Sequence, residues 1–340
     1  MLLSRRNLLA GAIALPAVIC AGRRPFAAEP MRLKISHQFP GGTIDQGDFR
    51  DRLCRRFAAE VTARSKGELA FDIYPGSSLM KTNAQFSALR KGALDLSLLP
   101  LPYAGGEMAE LNIALMPGLV TNYDQGAAWK EAAVGKELTR LMEEKGVKIL
   151  AWVWQGGGVA SRATPIVAPS DVMGLKVRGG SREMDLVLKS AGAAVVSMPS
   201  DEIYAAMQTG AVDAALTSST SLISFRLEEL SKGLTTARNR SYWFMLEPLL
   251  MSKAVFDGLS PAARAILVEV GAEMEEFGRR GALADDEAVA QIYAKAGAKV
   301  VDMNAALVEE WRSIARETAW KDYAGRNPSC ANLLNLAQAL

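Results

Sequence analysis

The sequence predicts an α/β protein built from two similar lobes, and three observations support this fold class. At 340 residues the chain is longer than one hydrophobic core usually organises. Strand and helix patterns alternate along it, which is typical of a mainly parallel sheet. Residues 88–96 and 206–214 both combine a helix end, a glycine and the start of a buried strand. Helix–glycine–strand joints also arise by chance, but one in each half predicts two lobes that enclose a cleft.

The first 28 residues have the composition of an export signal. Arg5 and Arg6 precede an uncharged apolar run over 8–21, and Arg23 and Arg24 then lead to a small residue at Ala28. This order predicts a signal peptide over 1–28, removed near Ala28. The paired arginines leave both the general and the twin-arginine export routes open.

Charge and hydropathy exclude two classes of partner. The chain has 39 basic and 37 acidic side chains, and four of the arginines lie in 1–28. The remaining 35 basic and 37 acidic side chains form no basic stripe, so the sequence predicts no nucleic-acid binding. No later segment is long and apolar enough to cross a membrane, so the processed protein is predicted not to span one.

The residues that carry common enzyme chemistry are scarce. His37 is the one histidine. After the signal segment the chain has two cysteines, Cys54 and Cys330, which are far apart in sequence. These residues make no ordinary metal site, and no nucleophile motif accompanies His37. The glycines at 156–158 follow a strand but lack the lysine of a phosphate-binding loop. The sequence therefore predicts no metal, no cofactor and no enzyme, and it leaves open whether the cysteines pair.

The predicted elements of the first lobe follow in order. Strands are predicted over 31–37, 69–74, 95–99 and 147–153, because apolar residues dominate each run. Helices are predicted over 47–65, where inward-facing residues recur at helical spacing, and over 123–145, which ends at Gly146. The first lobe is predicted to comprise 29–152 and about 241–280.

The second lobe repeats the pattern. It opens with 161–168, strands are predicted at 174–178 and 194–197, and helices over 181–191 and 200–209, of which the second leads into the repeated joint at 206–214. Residues 234–242 are predicted to cross over, and 244–251 to return as one strand. Ser260 and Pro261 begin a helix that continues, with breaks at glycines, to about 296 and is roughly 50 Å long. This lobe is predicted to comprise 153–240 and about 281–320, with 321–340 as a tail packed on both lobes.

Six segments, taken together and in this order, resemble one protein family. They are 34–40 (KISHQFP), 74–79 (YPGSSL), 88–95, 171–178 (DVMGLKVR), 206–213, and 251–253 followed by 259–261. The family is that of the periplasmic substrate-binding proteins of tripartite ATP-independent periplasmic (TRAP) transporters, of the DctP type. The resemblance implies a two-lobed periplasmic binding protein type II-like fold with a long helix bracing both lobes. It also implies a periplasmic protein that captures a small organic acid and delivers it to a TRAP membrane permease.

Arg178 is the residue to which the resemblance gives the clearest role. In the family, the arginine that ends this strand pairs with the carboxylate of the ligand, and a guanidinium suits that task because it offers two parallel donors. The alternative is a structural arginine satisfied by Asp171 or Asp185. Thr217 and Ser218 are candidate hydroxyl contacts, because the family often has a ligand-binding asparagine there; their alternative role is a polar loop or helix cap.

The chain departs from the family after its tryptophan-containing strand. Several members have a second arginine there, whereas this chain has Gln155 followed by three glycines. Arg162 is nearby but is a weak substitute. This departure argues against a ligand that needs two guanidiniums and favours a monocarboxylate. Further candidate contacts lie near segment ends that would face the cleft, with core packing as their alternative: Phe39, Tyr103, Trp154, Trp243, His37 and Gln155.

Three other functions remain open at this level. A binding protein of an ABC importer or a periplasmic sensor would share the fold, although the long helix argues against the importer. A secreted enzyme on the same fold is disfavoured by the lack of an acid, base or metal set.

Overall fold

The computed structural model describes residues 29–238 and 240–340, so the predicted signal peptide lies outside the described residues. In chain order the strands are β1 (Met31–Ser36), β2 (Leu69–Tyr74), β3 (Leu96–Leu98), β4 (Val147–Ala151), β5 (Trp154–Ser161), β6 (Lys176–Arg178), β7 (Ala194–Val195), β8 (Ala214–Ser218), β9 (Gly233–Thr236), β10 (Phe244–Leu246), β11 (Leu249–Ser252) and β12 (Lys299–Asp302). The helices are α1 (Phe49–Arg64), α2 (Thr82–Arg90), α3 (Tyr123–Ala128), α4 (Ala133–Glu144), α5 (Arg182–Ser190), α6 (Ile203–Thr209), α7 (Ser219–Ser224), α8 (Lys253–Gly258), α9 (Pro261–Lys295), α10 (Ala305–Ala315), α11 (Lys321–Arg326) and α12 (Pro328–Gln338).

Two sheets form two lobes, as predicted. The first sheet has the order β2-β1-β3-β11-β4. The second has the order β12-β9-β5-β8-β6-β7, and β10 pairs with β5 beside this path. Parallel pairs such as β1–β2 and β6–β8 occur in both sheets, while β11 and β5 run antiparallel to their neighbours. The fold is therefore a mixed α/β fold with one sheet in each lobe.

The two repeated joints occupy equivalent places in the two lobes. Gly92 and Gly210 follow α2 and α6 with φ of 67° and 75°, the left-handed conformation that glycine adopts at little cost. After each glycine an aspartate begins the next strand segment. Asp95 accepts a hydrogen bond from the backbone N–H of Lys34 at 2.7 Å, and Asp213 accepts one from Lys176 at 2.8 Å. Each joint thus fixes the start of its strand to the neighbouring parallel strand.

The long helix α9 spans both lobes. It runs for 35 residues without interruption, so the predicted breaks at glycines are wrong. Ser260 caps it by accepting from the Ala263 N–H at 3.1 Å, as predicted. In the first lobe Gly271 packs so closely on β4 that a Cβ there would lie 2.3 Å from the Leu150 carbonyl oxygen. In the second lobe Tyr293 donates to the Leu222 carbonyl oxygen at 3.2 Å. The helix therefore holds both lobes.

The chain passes between the two sheets three times, at 152–153, at 247–248 and along α9, and the second crossing differs from the prediction. The predicted strand 244–251 is wrong: β10 pairs with β5 in the second sheet, whereas β11 lies in the first. The predicted strand 147–153 likewise ends at Ala151, and β5 starts at Trp154. The crossing segments touch, because the Glu247 N–H donates to the Val153 carbonyl oxygen at 2.8 Å. The second crossing is thus at 247–248 and not near 240. The proline at 248 interrupts the strand pairing, because it has no backbone N–H to donate.

Two smaller expectations also change. The predicted helix 123–145 is two helices, α3 and α4, and the glycines at 156–158 lie inside β5 rather than in a loop. Gly157 is needed there for packing, since a Cβ would lie 2.1 Å from the Trp243 ring. Among the described residues no helix has the length and apolar character needed to cross a bilayer.

The C-terminal helices connect the lobes a second time, opposite the crossing segments. Trp320 donates to the Pro117 carbonyl oxygen at 3.0 Å, and Tyr323 donates to that of Glu110 at 2.9 Å. Both acceptors lie between β3 and α3, in the part of the chain predicted for the first lobe, while Asp322 pairs with Arg182 of the second lobe at 3.0 Å. Cys330 and Cys54 are both buried and free, so the structure answers the open question of their pairing in the negative.

Candidate functional site

Polar residues at the carboxyl ends of strands from both sheets meet between the lobes. Tyr103 follows β3 of the first lobe, and Arg178 ends β6 of the second. The Tyr103 hydroxyl accepts from Arg178 Nη2 at 2.7 Å and from the Ser200 N–H at 3.1 Å. In open α/β sheets, ligands bind at such strand ends. This contact region is the candidate site.

Arg178 is a buried cation without a counterion. Its side chain is 1% exposed. Its remaining bonds go to backbone carbonyl oxygens, from Nη1 to Leu216 at 2.7 Å and from Nε and Nη2 to Met198 at 3.1 and 3.0 Å. Throughout residues 29–238 and 240–340, no carboxylate oxygen lies within 4.0 Å of the guanidinium. A buried charge is costly unless it is paired, so this arrangement suits an incoming anion.

The two acids predicted as alternative partners of Arg178 are occupied elsewhere. Asp171 accepts from the backbone N–H groups of Val167 and Ala168 at 2.9 and 2.8 Å. Asp185 accepts from the Ser197 hydroxyl at 2.5 Å. Burial raises the pKa of Asp185, although Ser197 and the charge of Arg178 act in the opposite direction. The interpretation of Arg178 as a structural arginine paired with an acid is therefore wrong for this structure.

A cavity of about 340 Å³ lies beside Arg178 and Tyr103. Its size is in the range of small-molecule sites. Its walls come from both lobes and are mostly polar: Asn83, Pro102, Tyr103, Gly180, Ser181, Arg182, Asp185, Ser197, Met198, Pro199 and Glu202.

A second buried guanidinium, which the sequence did not predict, lies where α1 meets the other lobe. Arg50 binds Asp48 through two bonds of 2.9 and 2.7 Å and reaches Glu247 at 3.3 Å. It also donates across the lobes to Ser218 and Ser221, at 3.3 and 3.0 Å. No local pattern could have indicated this cluster, because its members are far apart in sequence and come from both lobes.

His37 and Phe39 belong to this second cluster and not to the cavity beside Arg178. The Phe39 ring lies under the Arg50 guanidinium, 3.6 Å from it, and stacks on the His37 ring with centroids 5.5 Å apart. His37 Nε2 lies 3.2 Å from Asp51 Oδ1. The His37 side chain is thus buried next to a carboxylate rather than in the cavity. Burial favours protonated Asp51, but hydrogen bonds from His37, Arg55 and Gly42 outweigh it and lower the Asp51 pKa.

Thr217 and Ser218 are both buried at the end of β8, between the two guanidiniums. The Leu216 carbonyl oxygen binds Arg178, and the Ser218 hydroxyl binds Arg50. At about 3.3 Å per residue, these two contacts are roughly 7 Å apart along the strand. Ser218 also caps α7 by accepting from the Ser221 N–H at 3.2 Å, which is the alternative role predicted for it. Thr217 lies on β8 between the Arg178 contact and the Arg50 contact, and its hydroxyl remains a candidate for ligand binding.

The remaining candidates have different surroundings. Trp243 donates to the Gly179 carbonyl oxygen at 3.0 Å and so lies next to Arg178. Gln155 is buried and donates to Glu247 of the second cluster. Trp154 does not line the cavity beside Arg178; it packs edge-on against Trp129, with centroids 5.1 Å apart, and lines a separate cavity of about 280 Å³ against α9.

Arg162 lies away from these residues. It is exposed just after β5, and its nearest acid is Asp213 at 3.9 Å.

Comparisons with known proteins identify the family of this chain. The family described as "Bacterial extracellular solute-binding protein, family 7" (DctP) matches residues 48–326. A solute-binding protein of Albidiferax ferrireducens is 64% identical over 94% of this chain and 96% of its own length. The 2,3-diketo-L-gulonate-binding periplasmic protein YiaO of Escherichia coli is 28% identical over 84% of this chain and 86% of its own.

Solved structures share the fold. A TRAP periplasmic solute-binding protein from Rhodoferax ferrireducens, crystallised with bound malonate, superposes with a TM-score of 0.89 at 65% identity. The match covers 90% of this chain and 97% of that one.

Proposed function

The chain belongs to the bacterial extracellular solute-binding proteins of family 7, a family of receptors and not of enzymes, and from that premise we propose what it binds and how. In the periplasm, it captures a small organic acid between its lobes and presents the acid to a TRAP-type membrane permease. The protein makes and breaks no covalent bond in this cycle. The family match and the TRAP protein at 65% identity support this role.

The buried and uncompensated charge of Arg178 carries the proposal. The guanidinium is fixed on the second lobe by the carbonyl oxygens of Leu216 and Met198, and the hydroxyl of Tyr103 reaches it from the first lobe. A ligand carboxylate would supply the missing counterion and take donors now directed at neutral oxygens. Charge-assisted bonds of this type are about twice as strong as neutral ones.

The ligand class follows from the size and polarity of the site. A cavity of about 340 Å³ accommodates a molecule of a few carbon atoms more readily than a long chain. Arg178 adjoins the cavity wall at Gly180 and Met198, whereas Arg182 lies in the wall itself but pairs with Asp322 at 3.0 Å. The second buried guanidinium, Arg50, is already bound to Asp48 at two points, so we assign the ligand carboxylate to Arg178. We therefore favour an acid with one ionised carboxylate on Arg178 and a polar remainder. Malonate, bound by the protein from Rhodoferax ferrireducens, is the first dicarboxylate to compare.

Closure of the lobes excludes water from the bound acid. The two crossing segments, at 152–153 and 247–248, are the natural hinges, and Tyr103 is the contact that closure forms across the cleft. Exclusion of water strengthens the ion pair because the local dielectric falls.

Calorimetry of Arg178→Ala tests the proposal, with malonate and a panel of small monocarboxylates as ligands. Loss of the cation should weaken binding by about 2–5 kcal/mol, because the carboxylate is buried without a partner. Arg162→Ala is the matched control, since its guanidinium is exposed and should leave affinity unchanged. An Arg178→Ala variant that binds as tightly as the parent would contradict the proposal, and so would an affinity loss confined to Arg162→Ala.

A further inference from the structure

Glu247 and Gln155 form a buried pair where the chain crosses between the lobes. Gln155 lies in β5, and Glu247 follows β10, which is paired with β5 through Leu246 and Trp154. The Gln155 Nε2 donates to Glu247 Oε2, and the Glu247 backbone N–H donates to Val153 at 2.8 Å. The pair therefore lies at the proposed hinge between the lobes.

An ionised Glu247 would be energetically costly in this cluster, because one guanidinium would face two carboxylates. Among residues 29–238 and 240–340, Arg50 is the one cation that pairs with Asp48 and Glu247, and it binds Asp48 at two points of 2.9 and 2.7 Å. Its contact with Glu247 is a single bond of 3.3 Å to Oε2. The side chains of all three residues are at most 1% exposed. Two ionised carboxylates on one guanidinium would bury a net negative charge, which is unfavourable in a medium of low polarity.

The Glu247–Gln155 pair is one proton short of satisfying all of its hydrogen-bonding atoms. Glu247 Oε1 and Gln155 Oε1 are both buried and have no hydrogen-bond partner among the described residues. Both are acceptors, and they belong to two planar groups that are already joined by their other atoms. A carboxylic acid and a carboxamide can join at two points, N–H to carbonyl oxygen and O–H to amide oxygen. A single proton on Glu247 Oε1 would satisfy both orphan oxygens.

We propose that Glu247 is protonated in the closed protein and that its Oε1–H donates to Gln155 Oε1, forming a neutral acid–amide pair at the hinge. The burial of Glu247 and the charge of Asp48 favour this protonated state. Burial raises the pKa of Glu247 to about 7, and the Asp48 carboxylate acts in the same direction, while Arg50 and Gln155 oppose them.

The other titratable groups near the cluster come from α1 and α9. From α1, the Cys54 thiol is neutral because burial raises its pKa, and the Asp51 carboxylate is bonded to Arg55 at 2.7 Å and lies 3.2 Å from His37. From α9, burial raises the pKa of Asp285, which lies near Asp48, Arg50 and Arg52. Its neighbour Asp286 accepts from the Tyr123 hydroxyl at 2.6 Å, and burial raises its pKa to about 7, so the comparison with Glu247→Gln is needed to separate its proton from that of Glu247.

The proposal predicts proton uptake on ligand binding, and this step rests on the proposed function. Opening of the lobes hydrates Glu247 and returns its pKa towards the ordinary value of 4.5, whereas closure raises it to about 7. Between these values closure therefore takes up a proton, and affinity falls as pH rises, by at most about tenfold per pH unit. Above this window both states are ionised and below it both are protonated, so the dependence disappears.

Infrared spectroscopy of the whole protein tests the proton directly, midway between pH 4.5 and 7. In the malonate-bound protein, the parent minus Glu247→Gln difference spectrum should contain the C=O band of a protonated carboxyl that shifts in D₂O, and the band should be weaker in the unliganded protein, whose open lobes lower the pKa of Glu247. Glu247→Gln should fold, because a second carboxamide can form the same two-point pair without a proton. Glu310→Gln, which alters an exposed carboxylate, should not remove the band. Absence of the band in both samples would overturn the proposal.

Calorimetry in two buffers of different ionisation enthalpy tests the coupling. With malonate as the probe, the parent should take up protons inside the window, and Glu247→Gln should take up fewer or none. Equal uptake by the two proteins would also overturn the proposal. Failure of malonate to bind would count against the proposed ligand alone, since both measurements are then made with the acid of the monocarboxylate panel that binds.

Discussion

At the scale of single residues, two buried arginines show how surroundings decide the role of one side-chain type. Arg50 has a carboxylate partner at two points and holds the lobes together through serine hydroxyls. Arg178 has neutral oxygens alone around it. The difference between them is therefore the missing counterion, which makes Arg178 the residue suited to an anionic ligand.

Tyr103→Phe tests the contact across the cleft. The hydroxyl accepts from Arg178 at 2.7 Å and from the Ser200 N–H at 3.1 Å, so its removal leaves two buried donors without a partner in the closed state. We expect binding of malonate or the best ligand found to weaken by about 1–3 kcal/mol, mainly through faster dissociation. Stopped-flow release measures this rate. Tyr204→Phe, which alters a remote tyrosine bonded to Glu229, is the control; tighter binding by Tyr103→Phe would show that Tyr103 competes with the ligand.

At the scale of elements, α9 shows why a helix can carry glycines at little net cost. Glycine in a helix interior costs about 1 kcal/mol relative to alanine, and this cost suggested breaks. Gly271 instead lets the helix approach β4 closely enough that a Cβ would meet the Leu150 carbonyl oxygen at 2.3 Å. Packing on the sheet, and not local propensity, thus determines the residue at this position.

Gly271→Ala is expected to destabilise the protein despite its gain in helix propensity. The obstructing atom is backbone in a buried strand and cannot move away cheaply, so overpacking of about 1–3 kcal/mol should exceed the gain. The matched control is Gly325→Ala in α11, where nothing lies within 4 Å of the added Cβ. That change should stabilise the protein by about 0.5–1 kcal/mol. Urea denaturation of both variants measures the free energies of unfolding, and a stabilised Gly271→Ala would contradict this account of the packing.

At the scale of the whole molecule, the lobes are connected by crossing segments on one side and by C-terminal helices on the other. The segments at 152–153 and 247–248 allow rotation because each is short and separates two strands. The bonds of Trp320 and Tyr323 to the first lobe limit how far the lobes can separate. Ligand binding is therefore expected to change the shape of the molecule without rearranging either sheet.

Small-angle scattering tests this change of shape. A compact chain of this size has a radius of gyration of about 20 Å. The unliganded protein, lacking the signal segment, should exceed the value of the malonate-saturated protein, because unpaired polar groups in the closed cleft favour opening. Arg178→Ala should keep the larger radius at the same malonate concentration. An identical radius with and without bound ligand would rule out hinge closure.

The amino-acid sequence by itself determined the features that depend on neighbours along the chain. The joints at Gly92 and Gly210, the cap at Ser260 and the helix over 261–295 follow from propensity, capping and periodicity, which act within a few residues. The family pattern likewise placed Arg178 at the end of its strand. These predictions succeeded because the forces that fix them are local.

Only the tertiary structure decided what surrounds those residues. It divided 244–251 between two sheets, moved Trp154 to a separate cavity, and brought Asp48, Arg50 and Glu247 together from both sides of the hinge. It also showed that Asp171 and Asp185 are engaged elsewhere, which leaves Arg178 without a counterion. Burial and charge pairing join residues that are far apart in sequence, such as Arg50 and Glu247 at 197 positions, and no local pattern contains them.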